Sequence, residues 1–358
     1  MLCYILTTGR CNLKCRYCGG SFPENLVPYK VKYSINELRN FLSDAEDLTI
    51  AFYGGEPLLN ASWIVKVMDE VDAKHYVIQT NGLLIDNLDK DYWLRFNVIL
   101  LSIDGIEQLT DYNRGKGVYR RVIRAAEKLR SMGYEGEIVA RMTVTEMSDI
   151  YRDVNHLLSL GLFDTIHWQL DAIWSPKRES FKSWLNGNYI PRLKQLVDMW
   201  VNELLNGKIL GIAPFKAIMS ALIDDRSLGM PPCGAGWNAL AINTNGDVLA
   251  CPIAVDVKWA RLGNIKTSTF KELLRKVEIK EPCTKCKYVR ICGGRCLYAH
   301  KERLWGEEGF KMLCEASITL INSLIKAKPK VEWALKNNII SMKELRYPPF
   351  LNSIEIIP

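Results

Sequence analysis

Cys3-Tyr4-Ile5-Leu6-Thr7-Thr8-Gly9-Arg10-Cys11-Asn12-Leu13-Lys14-Cys15-Arg16-Tyr17-Cys18 joins a short apolar run to a C-x3-C-x2-C array, and the rest of the chain is read outward from it. Cys3–Thr7 has the composition of a strand, so the three cysteines fall in the loop that leaves it. Three thiolates bind three irons of a 4Fe-4S cube and leave the fourth iron open to a substrate or cofactor. A structural zinc ion wants four closed ligands, and no fourth Cys or His lies nearby in sequence.

Strand-like runs recur at Leu48–Tyr53, Tyr76–Gln79, Val98–Ile103, Glu137–Val144 and Thr165–Leu170, with helix-compatible segments between them. Ser34-x-x-Glu37 has capping-box spacing ahead of Leu38, Phe41, Leu42 and Ala45 on one face. A later helix is expected from about Val118 to Met132, with Val122, Ala126 and Leu129 on one stripe and Gly133 as its stop. Six βα units without a dinucleotide fingerprint predict an α/β fold, a partial (βα)6 TIM-like barrel, with functional residues at the C-terminal ends of the strands.

Those strand ends carry motifs. Tyr53-Gly54-Gly55-Glu56-Pro57 follows the second strand, Thr80-Asn81-Gly82 the third, and Leu101-Ser102-Ile103-Asp104-Gly105 the fourth, with Asp111-Tyr112-Asn113-Arg114 shortly after. The sixth reads Ile166-His167-Trp168-Gln169-Leu170-Asp171. Asp171 is a candidate catalytic proton acceptor or substrate contact, with a helix cap or turn as the alternative role. His167 reads as a core histidine.

Composition bounds the rest. The 358 residues exceed one typical domain, and 48% hydrophobic with 24% charged residues match an ordinary globular chain. A formal charge of +7 is mild for this length, and no long basic block points to nucleic acid. No apolar run is long enough to cross a bilayer, and Met1–Leu6 lacks the basic flank of a signal peptide, so a cytoplasmic location without membrane association is expected. Eleven cysteines, an odd number without a secretion signal, argue for metal ligation over disulfides.

The second cysteine group follows a Trp- and Lys-containing segment from about residue 173 to 229, read as a helical linker. Cys233 and Cys251 bracket Gly246 as C-x12-G-x4-C; Cys283, Cys286, Cys292 and Cys296 form C-x2-C-x5-C-x3-C; Cys314 closes the series. Ala239–Ile242 and Val248–Cys251 flank Asn243-Thr244-Asn245-Gly246-Asp247, a hairpin signal that would bring Cys251 beside Cys233.

The cysteine loop with its aromatic Tyr17, together with the Gly-Gly-Glu-Pro, Thr-Asn-Gly and Ser-Ile-Asp-Gly motifs in order, resembles the radical S-adenosylmethionine (SAM) superfamily. The resemblance implies that Cys11, Cys15 and Cys18 hold a 4Fe-4S cluster whose open iron is chelated by SAM, which is cleaved to a 5′-deoxyadenosyl radical. It further implies that Gly54, Gly55 and Glu56 hold the SAM amino group, that Tyr17 and Leu170 meet the adenine, and that Ser102 and Arg114 meet the carboxylate or ribose. Asn81 joins this cofactor-binding set.

The C-terminal series resembles the SPASM auxiliary-cluster domain of sulfatase maturases and other peptide-modifying radical SAM enzymes. By that resemblance Cys283, Cys286, Cys292 and Cys314 hold an outer auxiliary cluster and Cys233, Cys251 and Cys296 an inner one, which makes three 4Fe-4S clusters and leaves Cys3 as an inert buried thiol. The corresponding domain order is a radical SAM partial barrel (1–172), a helical linker (173–229), the SPASM domain (230–316) and a helical tail (317–358).

Two positions depart from the sulfatase maturases. Ala239 stands where they carry a further cysteine, and Pro252 stands where they carry an Asp that takes the substrate proton. The open iron of the inner cluster then resembles that of thioether-forming maturases, with a substrate thiolate, a further protein ligand or water as the candidates to fill it. The implied activity is hydrogen abstraction from a peptide or protein substrate, possessing or lacking cysteine, leading to a cross-link or oxidation. Modification of a small-molecule or amino-acid-derived cofactor precursor and a non-catalytic electron carrier are the alternatives. The implied partners are an external reductant such as ferredoxin or flavodoxin and, because no recognition segment precedes the first strand, a separate peptide-recognition protein or direct docking.

Overall fold

The computed structural model describes residues 1–172, 179–303 and 305–347. In chain order its strands are β1 (Leu2–Leu6), β2 (Thr49–Tyr53), β3 (His75–Thr80), β4 (Val98–Ser102), β5 (Glu137–Val144), β6 (Thr165–Leu170), β7 (Ala239–Ile242), β8 (Asp247–Leu249) and β9 (Arg261–Asn264). The α-helices are α1 (Ile35–Leu42), α2 (Ala61–Glu70), α3 (Lys90–Trp93), α4 (Glu107–Arg114), α5 (Val118–Ser131), α6 (Ile150–Ser159), α7 (Ser180–Trp184), α8 (Ile190–Leu205), α9 (Ala213–Ile223), α10 (Val289–Cys292), α11 (Leu297–Glu302), α12 (Gly306–Lys336) and α13 (Met342–Leu345). The fold is α/β with a mostly parallel, open sheet.

The six expected strands form within a residue or so of their sequence bounds. Every residue of β1 and of β4 is buried, as in strands covered on both faces, which explains why they read as continuous apolar runs without alternation. Thr7, expected to end β1, lies just past it but still donates its N–H to the Tyr53 carbonyl at 2.9 Å. The capping box forms as its spacing implies: the Ser34 side chain accepts from the Glu37 N–H at 3.2 Å, and Glu37 Oε2 accepts from the Ser34 N–H at 2.7 Å.

The chain divides into two compact units, neither continuous in sequence. The first comprises Met1–Ile103, Thr110–Val139 and Gly234–Glu278. Its strands run in the order β5-β4-β3-β2-β1-β7-β8-β9. β1 pairs in parallel with β2 (Leu2 opposite Thr49) and, on its other flank, with β7 (Leu2 opposite Ala239). The sequence reading kept the C-terminal strands in their own domain; the structure adds them to the barrel sheet beside β1. The expected hairpin forms between β7 and β8, with Ile242 opposite Val248. Gly246, at φ +90°, makes its turn, but β8 ends at Leu249, so Cys251 lies in the turn beyond the strand.

The second unit comprises Asp104–Leu109 and the described residues of Ala140–Cys233 and from Ile279 onward. β5 passes into it, and β6 is its next neighbour in strand order. The described part of the expected linker is helical, holding α7, α8 and α9. α12 packs on α8 and α9, and the Trp168, Trp200 and Phe215 rings meet edge to face at 5.8–5.9 Å in the core beneath. α12 is one helix across residues 316 and 317, where the sequence reading drew a boundary, because its apolar stripe, including Leu313, Ala316 and Leu320, continues without a break. Residues 348–358 of the expected tail lie outside the described residues.

Candidate cofactor and iron–sulfur sites

In the first unit, the loop after β1 is laced to the loop after β2. Gly55 donates its N–H to the Thr8 carbonyl at 3.0 Å and Glu56 to the Arg10 carbonyl at 2.8 Å. A Cβ on Gly54 would collide with the Thr8 carbonyl oxygen, and one on Gly55 with that of Arg10. The resemblance implies that these glycines hold the SAM amino group. The structure supplies a nearer cause, the closeness of two backbone loops.

Glu56 is fully buried between three donors: its carboxylate accepts from the Leu58 N–H (3.1 Å), the Thr80 hydroxyl (2.7 Å) and the Asn81 N–H (2.8 Å). Burial raises its pKa to about 7 against the pull of those hydrogen bonds. Asn81 in turn donates from its side chain to Asn12 Oδ1 at 2.7 Å, which fastens the loop between Cys11 and Cys15 to the end of β3.

The cysteine loop closes on itself by Cys18 and Gly19 N–H groups donating to the Cys15 carbonyl, and by the Cys11 N–H donating to Ser21 Oγ. Its second half is clasped by the end of α4. Arg16 donates its backbone N–H to the Asn113 carbonyl (2.9 Å) and its Nε to the Tyr112 carbonyl (2.8 Å), and its guanidinium lies 4.2 Å from the Tyr112 ring centroid. Arg114 and Tyr17, both expected at the cofactor, meet with the guanidinium 5.5 Å from the ring. The Cys18 thiol is pulled down to about 6, first by a hydrogen bond from Cys15 and further by the Arg114 charge, whereas burial raises Cys11. Ser102 is buried at the end of β4.

Cys3 is fully buried within β1, and burial raises its pKa. None of the eleven cysteines is in a disulfide.

In the second unit, Cys283, Cys292, Cys296 and Cys314 line one cavity, and Cys286 acts electrostatically on Cys283 and Cys314. The Cys283 thiol is raised by burial and then by the charges of Cys314 and Cys286; Cys314 is raised by burial and by Cys286; Cys292 is pushed up to about 11 by burial, with Cys314 and Cys283 adding to it. Thiols that raise one another in this way are a donor set that becomes favourable once a cationic centre binds the deprotonated sulfurs. Arg295 and Arg303 act in the opposite direction on the same sulfurs. A cavity there is lined by Cys283, Cys292, Cys296, Cys314, Arg295 and His300, among others, and reaches Ala172, the residue after Asp171.

Asp171 is buried, and its backbone N–H donates to the Val144 carbonyl at 2.9 Å; Leu170, at the end of β6, is buried beside it. Both belong to the second unit, as do Cys233 and Cys296, while Cys251 belongs to the first. Ala239 is buried in β7, opposite Leu2. Sequence reasoning missed Asn12, Arg16 and His300. The signal for His300 was its place four residues after Cys296, in a chain with four histidines.

The Radical SAM superfamily model matches residues 5–152, and the SPASM model, an iron-sulfur cluster-binding domain, matches residues 233–297. The chain is a radical SAM enzyme with a SPASM domain. Its cofactors are SAM and iron–sulfur clusters. This radical SAM enzyme is 28% identical over 334 residues to the cysteine-type anaerobic sulfatase-maturating enzyme of Clostridium perfringens, a match covering 80% of this chain and 85% of that protein. It is 24% identical over 378 residues to the radical SAM cyclopropyl synthase TigE of Paramaledivibacter caminithermalis, covering 91% and 74% respectively. Its fold matches native anSMEcpe with bound AdoMet and Cp18Cys peptide with a TM-score of 0.71 at 22% identity, covering 94% of this chain and 99% of that one. Among the described residues no helix is long and apolar enough to cross a membrane.

Proposed function

We propose that this radical SAM enzyme matures a peptide or protein by abstracting hydrogen from it, using three 4Fe-4S clusters. The observation that carries the reading is the convergence, at one end of the first unit's sheet, of the Cys11–Cys18 loop, Glu56, Asn81 and the Tyr17–Arg114 pair. Relatives named for sulfatase maturation and cyclopropyl synthesis, and a structural neighbour holding a peptide, support a peptide substrate.

Cys11, Cys15 and Cys18 would hold the SAM-binding cluster, which together with SAM would supply a 5′-deoxyadenosyl radical. Tyr17, Asn81, Ser102, Arg114 and Leu170 are the proposed SAM contacts, with Gly54, Gly55 and Glu56 shaping the loop that holds its amino group. Cys283, Cys286, Cys292 and Cys314 are assigned to the outer auxiliary cluster; their mutual influence supports this grouping. Cys233, Cys251 and Cys296 would hold the inner one, whose ligand set a substrate thiolate, a further protein ligand or water would complete, a reading motivated by Ala239. Asp171 is the proposed proton acceptor, since Pro252 cannot titrate. A low-potential ferredoxin or flavodoxin supplies the electron, and a separate recognition protein or direct docking presents the peptide.

The test is anaerobic incubation of the reconstituted holoenzyme with SAM, a reductant and cysteine-containing candidate peptides. Formation of 5′-deoxyadenosine and loss of a hydrogen pair from the peptide, read by mass spectrometry, are the expected results. Cys15→Ala should abolish deoxyadenosine formation. Survival of that activity, or an iron content far below about a dozen per chain in fully reconstituted material, refutes the assignment.

A further inference from the structure

His300 lies on α11, four residues after Cys296, and its side chain is buried. Its two ring nitrogens have different neighbours. Nε2 accepts the Lys280 backbone N–H at 3.1 Å, while Nδ1 lies 3.7 Å from Cys283 Sγ. A nitrogen that accepts from a backbone N–H cannot carry a proton, so the neutral ring carries its single proton on Nδ1. The ring is also fixed in place. The His300 backbone N–H donates to the Cys296 carbonyl at 2.9 Å, the Arg303 Nε donates to the His300 carbonyl at 2.9 Å, and the Phe310 ring meets the imidazole edge to face at 6.0 Å.

We propose that His300 is a positioning and tuning residue of the outer auxiliary cluster, donating an Nδ1–H···S hydrogen bond to the Cys283 ligand. This rests on the assignment of Cys283 to that cluster. A hydrogen bond to a ligand sulfur withdraws electron density from it and favours the reduced cluster, which carries one more negative charge. The same tautomer argument excludes His300 as an iron ligand through Nδ1, because the nitrogen facing the sulfur is the protonated one. The orienting Lys280 N–H fixes which nitrogen faces Cys283, as the outer partners of ligand groups do in metal sites.

The experiment is an anaerobic potentiometric titration of the holoenzyme, each cluster followed by electron paramagnetic resonance. His300→Phe removes the donor; His300→Asn places an amide N–H where Nδ1 stood but, like Phe, loses the acceptor for Lys280. One auxiliary cluster of the Phe variant should show an oxidised-to-reduced ratio about threefold higher at fixed potential, about 28 mV at 59 mV per decade for one electron. The Asn variant should titrate like the wild type. Cys283→Ala identifies the cluster concerned. If Cys283→Ala leaves all three cluster signals and the iron content unchanged, the ligand assignment fails. If it removes one signal but His300→Phe leaves every potential in place, or shifts it equally with His300→Asn, the hydrogen-bond role fails. Loss of iron from His300→Phe would make His300 a ligand and overturn the tautomer argument.

Discussion

Glu56 is a fully buried carboxylate whose environment favours the proton. Its folded pKa of about 7 lies above the ordinary 4.5, so the folded state binds a proton that the unfolded state has released between those values. The stability this group contributes is therefore present below about pH 4.5 and lost as pH rises through about 7, a change of about 3 kcal/mol. Glu56→Gln stays neutral throughout. In denaturant unfolding without SAM, the stability of wild type minus variant should fall by about that amount from pH 4.5 to pH 8; a flat difference would place the carboxylate in a wetter setting. At this scale, the proposed site residues were legible because order and spacing survive in the string, and the structure brings Glu56 to Asn81 and Tyr17 to Arg114. Their supports were not. Asn12 meets Asn81 from 69 residues away and Arg16 meets Tyr112 from 96, and neither pairing leaves a local pattern.

Elements were legible where their cause is local. The capping box of α1 needs only Ser34 and Glu37, and both halves of it form. Ser34→Ala should destabilise the protein by about 1 kcal/mol, read as a lower denaturation midpoint with an unchanged slope. An effect within error would show that tertiary packing of Leu38 and Phe41 alone holds the first turn. The β7–β8 hairpin was legible for the same reason, through Asn243–Asp247. What the string did not show is that β7 lies beside β1, since parallel strands far apart in sequence need no turn between them and advertise no register.

The whole molecule follows from that pairing. Without residues beyond 229 the chain would lack β7 to β9, leaving the flank of β1 bare, and would lack α12, which covers α8 and α9. An uncovered, flat, apolar strand is a template for association. A fragment of residues 1–229 should therefore elute as aggregate on size exclusion and show no cooperative thermal transition, whereas a monodisperse, cooperatively melting fragment would mean the barrel stands alone.

Both units draw their last pieces from late in the chain, and Cys314 sits on α12. During synthesis, the cavity lined by Cys283, Cys292, Cys296 and Cys314 is closed only once α12 has been made. A cluster of the kind proposed for those thiols would then be inserted after strands β1 to β9 have been made.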